Sequence, residues 1–293
     1  DLINHLNAVS ATSWFTRLDL PVTGPRGIAV SPDGERVAVC GYYSAKVVLL
    51  EAATGAVMAV AALGDGQGDQ TMRRGEIAFH DATRCFQGWL SCASCHPDAR
   101  ADGLNWDLLN DGAGNPKNAR SMLLTHATPP VMAHGVRESY AVAVAAGFQH
   151  IMFVEPDTDV VGDVMAYLSA LEPENSPWLE TDLRGHARLS ESAQRGRDIF
   201  RSPEAGCSHC HPSPLYTDKK MHSVGTSGAL DTDDTFDTPT LIELWRTAPY
   251  LHDGRATTVR EAITVHNKGD HRGMTSSLSD AQIDDLVEFL LSL

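Results

Sequence analysis

Two cysteines separated by two residues and followed at once by histidine occur twice in this chain, as Cys92-Ala93-Ser94-Cys95-His96 and as Cys207-Ser208-His209-Cys210-His211. Thiols at that spacing can each close a thioether onto a vinyl group of haem. The adjacent imidazole can then reach back beneath the ring and give iron its proximal nitrogen. Cys92, Cys95, Cys207 and Cys210 are therefore the expected anchors of two covalently bound haem c groups, with His96 and His211 as iron ligands. Tetrahedral zinc also accepts Cys-x-x-Cys, and a disulfide is a further use of such a pair. Two copies that each run straight into histidine favour haem. Cys40 and Cys85 have no nearby partner in sequence, and Cys40, in an apolar strand, is expected to be buried.

The 293 residues hold 38 acids against 23 bases, a formal charge of -15, and 42% hydrophobic residues. That is enough chain and apolar content for two domains and an additional piece. The acidic balance excludes nucleic acid as an expected partner and suits a basic redox protein, or simply solubility. No apolar run reaches the roughly eighteen to twenty residues needed to span a bilayer, and the start lacks the basic-then-apolar layout of a signal peptide, so the chain reads as mature or truncated. Covalent attachment of haem c takes place outside the bacterial cytoplasm, so the motif implies a periplasmic or otherwise exported protein.

The elements that must position these residues change character along the chain. From Val22 to about Leu63 the pattern is β-rich: Gly27-Ile28-Ala29-Val30, a Ser31-Pro32-Asp33-Gly34 turn, Arg36-Val37-Ala38-Val39, Lys46-Val47-Val48-Leu49-Leu50 and Ala56-Val57-Met58-Ala59-Val60. With its Ser-Pro-Asp-Gly turn, the segment resembles one blade of a YVTN-type β-propeller. One blade cannot close a propeller and leaves exposed edges. The remaining blades are expected on an upstream segment or on another polypeptide, the alternative being a small sheet packed onto the haem domains.

Gly64-Asp65-Gly66-Gln67-Gly68-Asp69 is a flexible, polar break, and helix and loop follow it. Arg74-Gly75 and Phe79 before the first motif parallel Arg195-Gly196 and Phe200 before the second. Thr128-Pro129-Pro130-Val131-Met132-Ala133-His134-Gly135 parallels Thr247-Ala248-Pro249-Tyr250-Leu251-His252-Asp253-Gly254, and each half closes on a helix, Asp163–Leu171 and Asp285–Leu293. Ser279 is positioned to cap the second helix, whose apolar face is Ile283, Leu286, Val287, Leu290 and Leu291. The expected fold is mainly α: a blade-like β segment over 1–68, then tandem cytochrome c-like haem domains over 69–172 and 173–293. Pro173 to Trp178 is the linker.

Asp237-Thr238-Pro239-Thr240-Leu241 with Thr247-Ala248-Pro249-Tyr250-Leu251-His252-Asp253-Gly254-Arg255 resembles the bacterial dihaem cytochrome c peroxidase superfamily. That superfamily includes the enzyme that matures methylamine dehydrogenase, and the resemblance spans roughly Thr71 to Leu293. It implies one electron-storing haem, one haem that meets hydrogen peroxide, and a calcium ion between them. Asn118 matches the family's calcium-binding Asn, and Thr247 and Pro249 match its carbonyl donors, oxygen atoms that suit a hard cation. A plain loop role for Asn118 and a turn role for Thr247 stand as alternatives.

The chain departs from the family at the sixth iron ligands, which decide whether an iron only passes electrons or also binds oxidant. His266 stands where a Met often ligates the C-terminal haem, with Met274 and His271 as alternatives. In the first domain Asn110 replaces the family's removable distal His, Ala133 its inter-haem Trp, and the catalytic Glu is missing near Gln149-His150-Ile151-Met152. His150 is thus a candidate distal ligand of haem one or a catalytic acid-base group. His126, His134, Met132 and Met152 are further candidates. Trp106 is a candidate electron bridge near a haem edge, or else core packing. His252 is expected near the haem interface and His222 beside the second haem pocket.

The expected function is a dihaem c-type oxidoreductase that reduces hydrogen peroxide, with electrons relayed from the second haem to the first and supplied by a small redox protein. The alternatives are peroxide-dependent oxidation of a residue on a protein partner, and pure electron transfer within a larger redox complex.

Overall fold

The computed structural model describes residues 18–64, 69–108 and 114–293. Residues 65–68 of the polar break, and Asn110, lie outside the described residues. The chain divides into two compact units, Asp1–Asp69 and Gln70–Leu293.

In the first unit β1 (Pro25–Val30), β2 (Arg36–Gly41), β3 (Lys46–Glu51) and β4 (Val57–Ala62) form an antiparallel meander in chain order. The first turn forms because Asp33 accepts from Ser31 Oγ at 2.5 Å and from the Glu35 amide at 3.0 Å, while Gly34 takes φ +75°. Alternation along the two inner strands turns Val39, Val48 and Leu50 into a small core with Leu20, Val22 and Val37. Cys40 is half-buried rather than buried, because it points to the face opposite Val39. Every residue of β1 and β4 is exposed, including Ile28, Val30, Met58 and Val60.

In the second unit, α1 (Gln70–His80) leads to α2 (Cys92–Cys95), and later α3 (Tyr140–Ala146) to α4 (Thr158–Ser169). The same order returns as α5 (Glu191–Arg201), α6 (Cys207–Cys210), α7 (Val259–Ile263) and α8 (Asp280–Leu291). The pairs α1/α4 and α5/α8 each pack around a glycine. A Cβ on Gly75 would lie 1.8 Å from the Asp163 carbonyl oxygen, and one on Gly196 1.9 Å from that of Asp285. The preceding arginines grip the same two residues: Arg74 Nε reaches Asp163 at 2.8 Å, and Arg195 Nε reaches Asp285 at 2.8 Å. Each half builds a core of its own, one on Phe79, Val164 and Leu168, the other on Phe200, Leu286 and Phe289. Ser279 caps α8 by accepting from the Gln282 amide.

Helix makes up less of this unit than a mainly α reading implies. Long Pro- and Gly-containing stretches after each cysteine motif run as turns and short ribbons, β5 (Asn105–Trp106) with β6 (Lys117–Asn118) and β9 (Met221–Ser223) with β10 (Thr235–Asp237), and a third ribbon, β7 (Glu180–Thr181) with β8 (Ala187–Arg188), precedes α5. The repeat extends into these stretches. Met132 and Leu251 both take positive φ, and the bridges Val131–Arg137 and Tyr250–Ala256 occupy equivalent places. The expected linker is tied down: Ser176 is buried and donates to the Leu291 carbonyl at 2.5 Å.

Candidate haem sites

Each cysteine motif is a single helical turn, which puts its two thiols on one side three residues apart. The histidine that follows closes the turn, with its amide 3.0 Å from the first cysteine's carbonyl oxygen in both copies. Its backbone is the same in both, φ -123° and ψ 65° at His96, φ -119° and ψ 60° at His211.

Both rings are oriented by a carbonyl acceptor: His96 Nδ1 lies 3.0 Å from Arg100 O and His211 Nδ1 2.8 Å from Tyr216 O. A carbonyl only accepts, so Nδ1 carries the hydrogen and Nε2 keeps its lone pair. Burial pushes both imidazoles below their ordinary pKa and so keeps them neutral. A neutral imidazole with Nδ1–H fixed to an acceptor is the form that ligates a metal through Nε2.

Burial raises the Cys92 and Cys207 thiols to about 11, and it raises Cys95 and Cys210 as well. All six cysteines are free. Zinc would need each thiol pair to converge with its own histidine as thiolate. Among the described residues, the acid, thiol and imidazole groups that do converge are Cys210, Asp218 and His222, without Cys207 or His211. His222 Nε2 contacts Asp218 at 2.8 Å, and both lie beside Cys210 of the second motif.

The structure also tests the fit of haem through polar groups that the protein leaves unmatched. Arg272 is largely buried, and its Nη2 donates to the carbonyls of Ala262 and His266. Its Nε and Nη1 have no hydrogen-bond partner, and burial lowers its pKa to about 10. Trp245 Nε1 is likewise buried without one. Unmatched donors of this kind call for an anionic or polar group to complete them, and haem carries two propionates. Neither residue carried a signal in the sequence.

The distal candidates are distributed unevenly. Gly273 lies against the second motif, where an added Cβ would come 3.1 Å from Cys207 Sγ. Met274 follows it, half-exposed, with its amide on Ala205 O at 2.9 Å. His266 is partly buried, and its carbonyl is held by Arg272. His150 is exposed in a π-turn, Gly147–Ile151. Met152, two residues on, is buried and meets Cys92, Sγ to Sδ 3.9 Å. The turn thus directs the thioether sulfur, rather than the imidazole, to the first motif.

Trp106 lies on the β5/β6 ribbon and donates to Asp102 Oδ2 at 2.9 Å. His252 is buried and stacks on Phe236 at 4.1 Å, with Nε2 3.1 Å from Asp231. His134 also packs against Phe236, with ring centroids 4.7 Å apart. Asn118 reaches the second half, where its amide nitrogen meets the Pro249 carbonyl and its backbone donates to His252 O at 2.8 Å, while its Oδ1 is buried without a partner. An orphaned amide oxygen beside a carbonyl fits a hard cation. Thr247 donates its hydroxyl to Leu244 O at 3.1 Å.

No protein-family profile matches the chain. It is 29% identical over 279 residues to the hydrazine synthase subunit gamma of Kuenenia stuttgartiensis, covering 76% of this chain and 78% of that one. A solved structure of that organism's hydrazine synthase superposes with a TM-score of 0.71 at 28% identity, over 78% of this chain and 89% of that one. The cytochrome-c peroxidase IdrP2 of Pseudomonas sp. (strain SCT) is 25% identical, over 81% and 89% of the two chains. The methylamine utilization protein MauG of Methylophilus methylotrophus is 25% identical over 75% and 81%. The relatives of this chain are therefore cytochrome-c peroxidases, MauG proteins and the gamma subunit of hydrazine synthase, a kinship that supports the dihaem peroxidase superfamily.

Proposed function

We propose that this chain is an exported dihaem c-type oxidoreductase that reduces hydrogen peroxide with electrons relayed from the second haem to the first. The observation that carries the reading is the pair of neutral, buried histidines, each behind a Cys-x-x-Cys turn and each locked through Nδ1 to a carbonyl. Cys92 and Cys95 would anchor one haem c and Cys207 and Cys210 the other, with His96 and His211 presenting Nε2 to iron and the Arg272 guanidinium taking a propionate. Haem, when bound, supplies an iron that exchanges single electrons and, where a coordination position is open, binds oxidant.

The remaining work falls to the protein. It keeps the imidazoles buried and neutral, and holds the Asn118–Pro249 contact where calcium would join the halves. His150, at the surface, is open to exchange protons with solvent. Trp106 and His252 are proposed to lie along the route between the sites, with His266 or Met274 completing the second iron. Peroxide reduction consumes two electrons and two protons and releases two waters; a small redox protein supplies the electrons.

A second reading, an electron-transfer subunit of a larger redox complex, is favoured by the similarity to the hydrazine synthase gamma subunit. The exposed apolar strands β1 and β4 suit it, as surfaces for further propeller blades on another polypeptide. Oxidation of a partner's residue, after the manner of MauG, is a variant of the first reading.

Haem counting tests the common ground. Purified protein should carry two haem c per chain, and Cys92→Ala/Cys95→Ala should carry one. Electron paramagnetic resonance then separates the readings: a high-spin ferric signal in the oxidised or half-reduced protein supports peroxide chemistry. Two low-spin signals that persist through half-reduction support electron transfer alone.

A further inference from the structure

The two proximal histidines make the same bond to carbonyls that are anchored in different ways. In the second half the acceptor is Tyr216, whose ring packs on Phe200 at 5.9 Å and on Phe289 at 6.5 Å, inside that half's own core. In the first half the acceptor is Arg100, at the end of a turn with two consecutive left-handed residues, Asp98 at φ 51° and Ala99 at φ 55°. That conformation is unfavourable for residues with a side chain and persists only where the surroundings enforce it.

The enforcing contact comes from the other half of the unit. Arg100 donates from Nε to Glu243 Oε2 at 2.7 Å and from Nη2 to Oε1 at 2.8 Å, while Nη1 returns to Asp98 O at 3.1 Å and holds the turn itself. The carboxylate is fully buried and the guanidinium nearly so. Glu243 is fixed in turn: its amide donates to Leu293 O at 2.8 Å, and Oε1 also accepts the Glu174 amide at 2.7 Å. Two parallel charge-assisted bonds leave the guanidinium plane little freedom. Among the described residues no ion pair serves Tyr216 in this way.

We propose that Glu243 is a positioning residue for His96: through Arg100 it fixes the carbonyl that receives His96 Nδ1–H, so the second half of the unit sets the ligand strength and redox poise of the first haem site. The inference rests on the reading of both motifs as haem c sites. A firm Nδ1–H···O bond makes Nε2 a stronger donor and favours ferric iron, so loosening it raises the potential. Removing the carboxylate charge, and leaving Arg100 positive without it, acts in the same direction.

The test uses the intact protein with both haems bound, as wild type, Glu243→Gln, Glu243→Asp and Arg100→Lys. Spectroelectrochemical titration gives both potentials, and resonance Raman of the ferrous protein gives the iron–histidine stretch. The expected result for Glu243→Gln is an upward shift of one potential and a lowered stretch, confined to the haem that Cys92→Ala/Cys95→Ala removes. Glu243→Asp, which keeps the charge, should shift less. If Glu243→Gln does not fold, Arg100→Lys, which keeps the charge but not the fork, should show the same one-sided shift. Unchanged potentials in folded variants, or equal shifts at both haems, would overturn the proposal. A wild-type protein with no covalent haem would overturn the haem reading itself, an outcome seen by haem counting before any variant is made.

Discussion

The Asp231 carboxylate receives the Gly228 amide at 2.6 Å, Lys117 Nζ at 2.9 Å, Asn115 Nδ2 at 3.2 Å and His252 Nε2 at 3.1 Å, in a site with almost no solvent contact. Burial alone would raise its pKa, but the Gly228 amide, the Lys117 ammonium and Asn115 outweigh it and hold the acid well below the usual carboxylate range. A depressed folded pKa gives stability that is present above the unfolded value, about 4, and is lost as pH falls toward the folded one. Asp231→Asn should therefore cost about 3 kcal/mol at neutral pH, in line with breaking a buried charge pair. The deficit should narrow below about pH 4, where the unfolded-state acid is already protonated. Urea midpoints of both proteins at pH 7 and at pH 3.5 would check it, and an equal deficit at both would show that charge is not the cause. Nothing local in the sequence announces this residue. Asp231 opens an acidic loop, and what distinguishes it is where Lys117 and His252 arrive from, 114 and 21 residues away.

Residues that recur in both halves or obey helical spacing were far easier to read. The Arg-Gly pair before each cysteine motif is a sequence signal with a direct physical meaning: the glycine lets α1 or α5 approach its partner helix to backbone contact, and the arginine crosses to the partner's aspartate. The N-cap at Ser279 and the apolar face of α8 were legible for the same reason, since both obey helical spacing. The π-turn at Gly147–Ile151 was not, and it is what sends Met152 inward and His150 outward. Gly75→Ala and Gly196→Ala should each destabilise by about 1–3 kcal/mol or more. The added methyl meets a carbonyl oxygen, and the overlap outweighs the roughly 1 kcal/mol that alanine gains in helix propensity. Gly162→Ala, on α4 with nothing within 4 Å, should instead stabilise by about 0.5–1 kcal/mol. Thermal melts of the three variants would test the contrast, and destabilisation by Gly162→Ala would count against this account of the helix crossing.

On the scale of the whole 70–293 unit, its two halves have separate cores but share their most buried charges. Arg100–Glu243, Lys117–Asp231 and Arg120–Asp237 all cross between them, as do the Asn118 contacts with Pro249 and His252. The internal repeat let the halves be drawn as tandem units joined by a linker, yet it carried no information about this seam, because each pair joins residues more than a hundred positions apart and occurs once rather than twice. Separating the halves would strand each of these charges without its partner in a partly dehydrated surface, at several kcal/mol for the most buried pairs. That cost exceeds what a surface linker between independent domains would impose, so the halves should unfold together. Far-UV circular dichroism, Trp fluorescence and haem absorbance should give coincident guanidinium transitions for this unit, the signature of two-state behaviour. Replacing Glu243 by Gln should move all three midpoints down together, because the pair it breaks belongs to both halves. Haem absorbance and fluorescence transitions that separated in the wild-type protein would mean the seam is dispensable, and would also remove the structural basis for the second half setting the first haem site through Arg100.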